Sequence, residues 1–295
     1  MPCPALGDRF QGRLWFKAEN LQHIGAFKAR GACNAVFSLD EATAQRGVAT
    51  HSSGNHAAAL ARAANLRGIP AHIVMPHNSL PNKMAAVREL GVEPILSEPD
   101  EPSRSAMAAE VVTKTGATLI HPYNDPPVMA GQGTVGLEIL GQATEGHLSI
   151  DTIVVPVGGG GLLSGMLVAI KSLQPHIEVI AAEPLWADDT ARSLASGKIE
   201  MPTRYDSIAD GLRTPLGENT FPIIRSLIND ILLVDERAII RATRAILQST
   251  PLIAEPSGAV SLAAVLDNAE RFQGKTVVAV LSGGNLDPSR EEFRV

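Results

Sequence analysis

The stretch VPVGGGGLLSG, residues 155–165, sets four consecutive glycines between an apolar β-branched run and a run with helical spacing. Each glycine weakens a regular element by roughly 0.5–1 kcal/mol relative to alanine, so four in succession mark a turn that needs bare backbone. A strand before them and a helix after them put the turn at the carboxyl end of a strand, where open α/β sheets bind ligands. Successive backbone N–H groups and the positive end of a helix favour an anion there, and the missing Cβ atoms let a phosphate approach. A simple tight turn is satisfied by one or two glycines. No Lys-Ser/Thr pair follows the run, and its spacing is not GxGxxG, so neither common nucleotide motif accounts for it.

The same alternation extends in both directions. RLWFKAE (13–19), GVATHS (47–52), AHIVMP (71–76), EPILS (93–97), TLIHP (118–122), EVIAAEP (178–184) and TVVAVLSGG (276–284) read as strands, as does TIVVPVG (152–158) ahead of the glycines. NHAAALARAANLRG (55–68), NKMAAVRELG (82–91), AMAAEVVTKTG (106–116) and GLLSGMLVAIKSL (161–173) read as helices, mostly closed by glycine or followed by proline. Strands alternating with helices predict an α/β fold of mostly parallel open sheets flanked by helices. SEPDEPS (97–103) reads as a loop, because strand and helix patterns resume on either side.

Composition sets the outer limits. With 295 residues, 45% apolar and 19% charged, the chain has the make-up of an ordinary globular protein. A net charge of −6 with dispersed basic residues argues against a nucleic-acid partner. Cys3 and Cys33 make neither a disulfide framework nor a metal motif, and no signal pattern opens the chain, which predicts a cytoplasmic location. The uncharged run 152–170 is about membrane length, but it holds Pro156 and five glycines; it reads as strand, loop and helix, not a span.

Two further loops sit at strand ends. HSSGNHAAALA (51–61) gathers Ser52, Ser53, Asn55 and His56 where a helix opens. One of them can cap the helix; four suggest ligand contacts as well. LSGGN (281–285) follows the last strand. Earlier in the chain, Lys28 stands in GAFKARGA, just ahead of a helix. A phosphate cradle, an early lysine and polar loops at strand ends are the parts that hold pyridoxal 5′-phosphate (PLP).

In that order, GAFKARGA, SSGNHA, GGGGLLSG and SGGN resemble the fold-type II PLP enzymes, and within them the serine/threonine dehydratase, serine racemase and 3-hydroxyaspartate dehydratase group. The resemblance spans nearly the whole chain and implies two lobes, a smaller one over 47–124 and a larger one formed by 1–46 and 125–295. It implies that Lys28 forms the Schiff base, with Phe27 beside it. Asn55 would bond the ring's 3′ oxygen, Gly158, Gly159, Gly160, Gly161 and Leu162 the phosphate, and Ser282 the pyridine nitrogen. A neutral hydroxyl at that nitrogen makes a weaker electron sink than a carboxylate, which favours loss of a β-leaving group.

Lys28 is then the base that removes the Cα proton. The expected reaction is dehydration of a β-hydroxy amino acid, serine, threonine or 3-hydroxyaspartate, to a 2-oxo acid and ammonia. The alternative is a serine or aspartate-type racemase with side dehydratase activity, since Ser53 matches the group's opposite-face acid/base. A non-catalytic PLP or phosphate-ligand binder is the alternative of another class. Ser52, Ser53, Asn55 and His56 are expected at the substrate carboxylate together with Thr214. Arg104 falls where the group's racemase has an active-site arginine, able to hold a second carboxylate. Glu183, Ala187 and Asp189, in AAEPLWADD, match a divalent cation site for Mg²⁺, Ca²⁺ or Mn²⁺. Without that match, Asp188 or Asp189 reads as a helix cap. The resemblance further implies a homodimer and no membrane partner. Members of the group start some tens of residues earlier, and biosynthetic threonine dehydratases carry a C-terminal regulatory domain, so feedback inhibition by isoleucine is not expected.

Overall fold

A computed structural model describes residues 1–287 and 289–293. The chain divides into two compact units, one formed by Met1–Phe27 and Gly133–Val295, the other by Lys28–Gln132.

The larger unit is built on a five-stranded sheet. Its strands are β1 (Arg13–Ala18), β6 (Thr152–Pro156), β7 (Glu178–Pro184), β8 (Asp230–Val234) and β9 (Thr276–Leu281), in the order β1-β9-β6-β7-β8, every pair parallel. A parallel sheet covered on both faces needs strands that are apolar throughout, and β6 and β9 are buried at every residue. Alternate side chains serve opposite faces. Val154, Val277 and Ala279 join a core with Leu14, Phe16, Val260 and Leu262. Ile153, Val155, Val278 and Val280 join another with Leu163, Met166 and Ile170. The run 152–170 is thus strand, glycine turn and helix Gly161–Leu173, as its glycines predict. Among the described residues no helix is long and apolar enough to cross a membrane.

The smaller unit has four parallel strands, β2 (Val48–His51), β3 (Ala71–Pro76), β4 (Ile95–Ser97) and β5 (Thr118–Leu119), ordered β4-β3-β2-β5. It begins at Lys28 and ends at Gln132, where the sequence suggested 47 and 124. The helix Lys28–Phe37 packs on the helix Asn55–Arg67. Gly31 donates to Gln132 Oε1 at 3.2 Å, and a Cβ on Gly131 would lie 2.7 Å from both Arg30 O and Gly31 Cα. Backbone this close ties the segment 28–37 to the unit that follows it.

Candidate active site

The glycine turn is uncapped. Gly160 precedes the helix Gly161–Leu173 with no side-chain cap, and Gly161, Leu162 and Leu163 are all buried. The first N–H groups of a helix lack intrahelical acceptors, and burial denies them bulk water; this end has the form of an anion site. Not every glycine is there for a ligand. Gly160 has φ +85°, and its Cβ would meet Ile224 Cδ1 at 2.7 Å, Thr220 Oγ1 at 2.8 Å and Leu216 Cδ2 at 2.9 Å. A Cβ on Gly158 would come within 2.9 Å of Leu212 Cα. Two of the four answer to protein packing.

Ser282 follows β9 directly and is buried. Its carbonyl accepts the Phe27 N–H at 3.0 Å, Ala26 pairs with Gly283, and Gly284 donates to the Gly25 carbonyl at 2.9 Å. These bonds lay the residues just before Lys28 along the SGGN loop. Asn285 Nδ2 donates to Ile24 O at 2.8 Å and clamps a turn in which Ile24 has φ +58°. A β-branched residue in that region is strained, one bend before the lysine.

Lys28 begins its helix, and its Nζ donates to the Pro122 carbonyl at 2.7 Å. Burial lowers its pKa to about 8, which brings a lysine into the range of a working base. The helix Asn55–Arg67 also lacks a side-chain cap; Gly54 stands at its N-terminus in place of the serine or asparagine cap the sequence allows. Ser52 Oγ accepts from Gly54 N at 3.3 Å, and Ser53 is exposed. Lys83, 7% exposed, packs against this loop, with its Cδ 2.9 Å and Nζ 3.4 Å from where a Gly54 Cβ would be.

The structure places His56 in the interior. It is 1% exposed, and its Nε2 donates to the Ile120 carbonyl at 3.3 Å. Burial first, then the charge of Lys28, holds it neutral well below the ordinary histidine range. Helical geometry turns this second residue of the helix inward, toward Ile120.

Arg104 lies in the helix Glu101–Thr115 with Nε buried and without a hydrogen-bond partner among the described residues. Thr214 is half-buried on the loop after the short turn Asp210–Leu212. Glu236 anchors the segment just before that turn, accepting from Ser207 Oγ at 2.8 Å and Ile208 N at 2.7 Å.

The acidic trio gathers at the end of β7. Glu183 is fully buried and accepts the Thr190 and Ala191 N–H groups at 2.8 and 3.0 Å, so it caps the helix Asp189–Ser196 in place of Asp188 or Asp189. Asp189 is buried, with both carboxylate oxygens lacking a hydrogen-bond partner among the described residues, and Ala187, two residues earlier, is fully buried. Burial raises Glu183 to about 8 and Asp189 to about 7, with Asp189's charge adding to the effect on Glu183. An orphaned buried carboxylate costs several kcal/mol unless it is neutralised or paired with a cation. Two carboxylates and a backbone carbonyl form an oxygen donor set suited to a hard divalent ion. Among the described residues no cluster of three or more His, Cys, Asp or Glu forms a metal site.

Residues 1–283 match the model of the family described as pyridoxal-phosphate dependent enzyme. The chain belongs to that family. This PLP enzyme is 50% identical over 279 residues to a serine racemase of Arabidopsis thaliana, covering 93% of this chain and 83% of the relative. It is 44% identical over 282 residues to a beta-hydroxyaspartate dehydratase of Paracoccus denitrificans, covering 96% and 88%. Its fold superposes on the structure of maize serine racemase with a TM-score of 0.93 at 44% identity, covering 98% of this chain and 88% of that one. The PLP enzyme is catalytic and of fold type II, which removes the non-catalytic alternative. Taken each within its own unit, the uncapped, buried helix end at 161–163 has the chemistry to receive a phosphate and the desolvated Lys28 amine that to receive an aldehyde. The sequence marks HPYND, residues 121–125, as pocket lining but not the Pro122 carbonyl as the partner of Lys28, and it passes over Lys83 and Glu236, which look like ordinary helix charges.

Proposed function

We propose that this chain racemises serine with PLP and eliminates water from β-hydroxy amino acids as a second activity of the same site. Lys28 would bind the cofactor's aldehyde, with Phe27 alongside. Gly158, Gly159, Gly160, Gly161 and Leu162 would take its phosphate, Asn55 its 3′ oxygen and Ser282 its ring nitrogen. Bound PLP supplies the electron sink that acidifies the substrate Cα–H. The Lys28 amine, already near neutrality in its proton affinity, takes or returns that proton on one side, and the Pro122 carbonyl receives the N–H of its ammonium form. Ser53 hydroxyl serves the other side, and the uncapped helix end beside Ser52 and Asn55 binds the substrate carboxylate. His56 contributes there through its backbone alone.

The carrying observation is Ser53, an exposed hydroxyl at an uncapped helix N-terminus with the buried Lys83 against the same loop. With the 50% identity to a serine racemase, it supports racemisation over the dehydration expected first from sequence. The test is Ser53→Ala, followed by chiral chromatography of serine and by pyruvate release. Racemisation should fall at least about a hundredfold, the scale of losing one general acid/base, while elimination from L-serine persists. Wild-type protein that releases a 2-oxo acid from serine but never forms D-serine from L-serine overturns the reading in favour of a dehydratase.

The second reading, dehydration of 3-hydroxyaspartate, draws on the unpartnered Nε of Arg104, a group able to bind a second carboxylate, and on the 44% identity to the Paracoccus enzyme. Thr214 would lie near the first. For both readings, Glu183, Asp189 and the Ala187 carbonyl would hold Mg²⁺, Ca²⁺ or Mn²⁺, and two copies of the chain would form a dimer.

A further inference from the structure

We propose that His121 is a positioning residue for Lys28, its neutral imidazole fixing the turn whose carbonyl receives the lysine N–H. The inference rests on the reading of Lys28 as the base.

The chain leaves β5 at Leu119 and turns within a few residues. Tyr123 N and Asn124 N donate to His121 Nδ1 at 3.3 and 3.0 Å. An amide N–H can only donate, so Nδ1 carries a lone pair and the ring's proton sits on Nε2. The residue inside this loop is Pro122, whose carbonyl accepts from Lys28 Nζ at 2.7 Å. Two residues earlier the Ile120 carbonyl accepts from Thr50 Oγ1 at 2.8 Å and His56 Nε2 at 3.3 Å, which fixes the entry to the turn. The His121 ring is wedged edge-to-face against His51 at 5.7 Å and Tyr123 at 4.6 Å, each at 90°.

The aim of the Pro122 carbonyl therefore depends on one ring nitrogen accepting two amides. This is the geometry of an Asx-turn, made by histidine in place of aspartate or asparagine. When Lys28 takes the substrate proton it becomes an ammonium with three N–H bonds, one of which Pro122 accepts; when it gives the proton back the bond loosens. His121 exchanges no proton in this cycle. A proton on Nδ1 would set N–H against two N–H groups and open the turn. The groups facing His121 are the His51 and Tyr123 rings and the Asp125 carboxylate, which accepts the His121 backbone N–H. Lys28 and His56 lie close enough for charge to be felt among them.

The test pairs nitrogen NMR of purified, uniformly ¹⁵N-labelled protein with the kinetics of His121→Ala and His121→Asn. In wild type at pH 8, His121 should show an unprotonated Nδ1 and a protonated Nε2, and acid titration should shift the Tyr123 and Asn124 amides together with the ring. His121→Ala should lower kcat about tenfold with KM within about twofold, the scale of losing one ordinary hydrogen bond. Asparagine can cap the same amides without titrating. His121→Asn should hold kcat within about threefold of wild type, since it keeps the turn's acceptor, and should lose the imidazole's share of the acid-side decline. A protonated Nδ1 in wild type, or an asparagine variant as impaired as the alanine one, overturns the proposal. If wild type itself carries no visible PLP band and no activity, the reading of Lys28 has failed, and the NMR result alone still decides what holds the turn.

Discussion

Gly160→Ala tests why the glycine turn is built as it is. At φ +85° an L-residue pays about 1–2 kcal/mol of backbone strain relative to glycine. The new Cβ would also stand 2.7–2.9 Å from atoms of Ile224, Thr220 and Leu216. Thr220 cannot easily yield, because its Oγ1 donates to Gly159 O at 2.9 Å and accepts from Gly217 N at 2.9 Å. Overpacking of this kind costs about 1–3 kcal/mol, so the two effects together come to roughly 4 kcal/mol. At about 2–4 °C per kcal/mol for a unit of this size, Tm should fall by roughly 10 °C. Gly141→Ala is the control: Gly141 lies inside the helix Pro126–Glu145 with nothing within 4 Å of its Cβ position. It should gain about 0.5–1 kcal/mol. Differential scanning calorimetry of the PLP-free proteins measures both without reference to cofactor binding. Gly160→Ala within 2 °C of wild type, or a Gly141→Ala that falls as far, would refute the reasoning.

Lys28→Ala should abolish both the visible absorption band of bound PLP and all turnover, read by spectrophotometry and oxo-acid release; a retained band would move the cofactor elsewhere. Chelation should destabilise the protein, and Mg²⁺ should restore more Tm at pH 8 than at pH 6. The raised pKa values of Glu183 and Asp189 mean that without a cation stability is lost as pH rises from the ordinary carboxyl range through about 7 and 8, where both groups ionise. An increment independent of pH, or absent in wild type, counts against the cation. His56, held neutral below its ordinary value of 6.5, contributes stability present above that value and lost as pH falls below it. His56→Gln should flatten the fall in Tm between pH 7 and 5.

Much of this was legible because buried parallel strands write themselves as unbroken apolar runs. Among the described residues, eight of the nine strands lie where those runs are. β8 escaped since it is an edge strand with residues 230–233 partly exposed, and no glycine or proline punctuates it. The helix Pro126–Glu145 hides for the opposite reason: its glycines argue against helix by propensity, yet Gly133 is needed where a Cβ would stand 2.8 Å from Gly165 O. Close packing overrides local preference there. At the site, side chains at strand ends could be read, whereas the partners of Lys28 and the inward face of His56 depend on where the chain returns in space.

The pairing of β1 with β9, Arg13 opposite Thr276 through Ala18 opposite Leu281, has a consequence for biosynthesis. On the ribosome, the residues leading into Lys28 emerge early and wait for 282–285 before anything holds them. Nearly the whole message must be translated first, about 15–60 s at ordinary elongation rates. The four strands at 48–119 need no such wait. A nascent chain can thus carry a finished smaller unit, with Lys28 already bonded to Pro122, while the turn that leads into the lysine stays unheld until the last strand slots in, and a premature stop before that strand should yield a protein that lacks both Ser282 and the clamp on that turn.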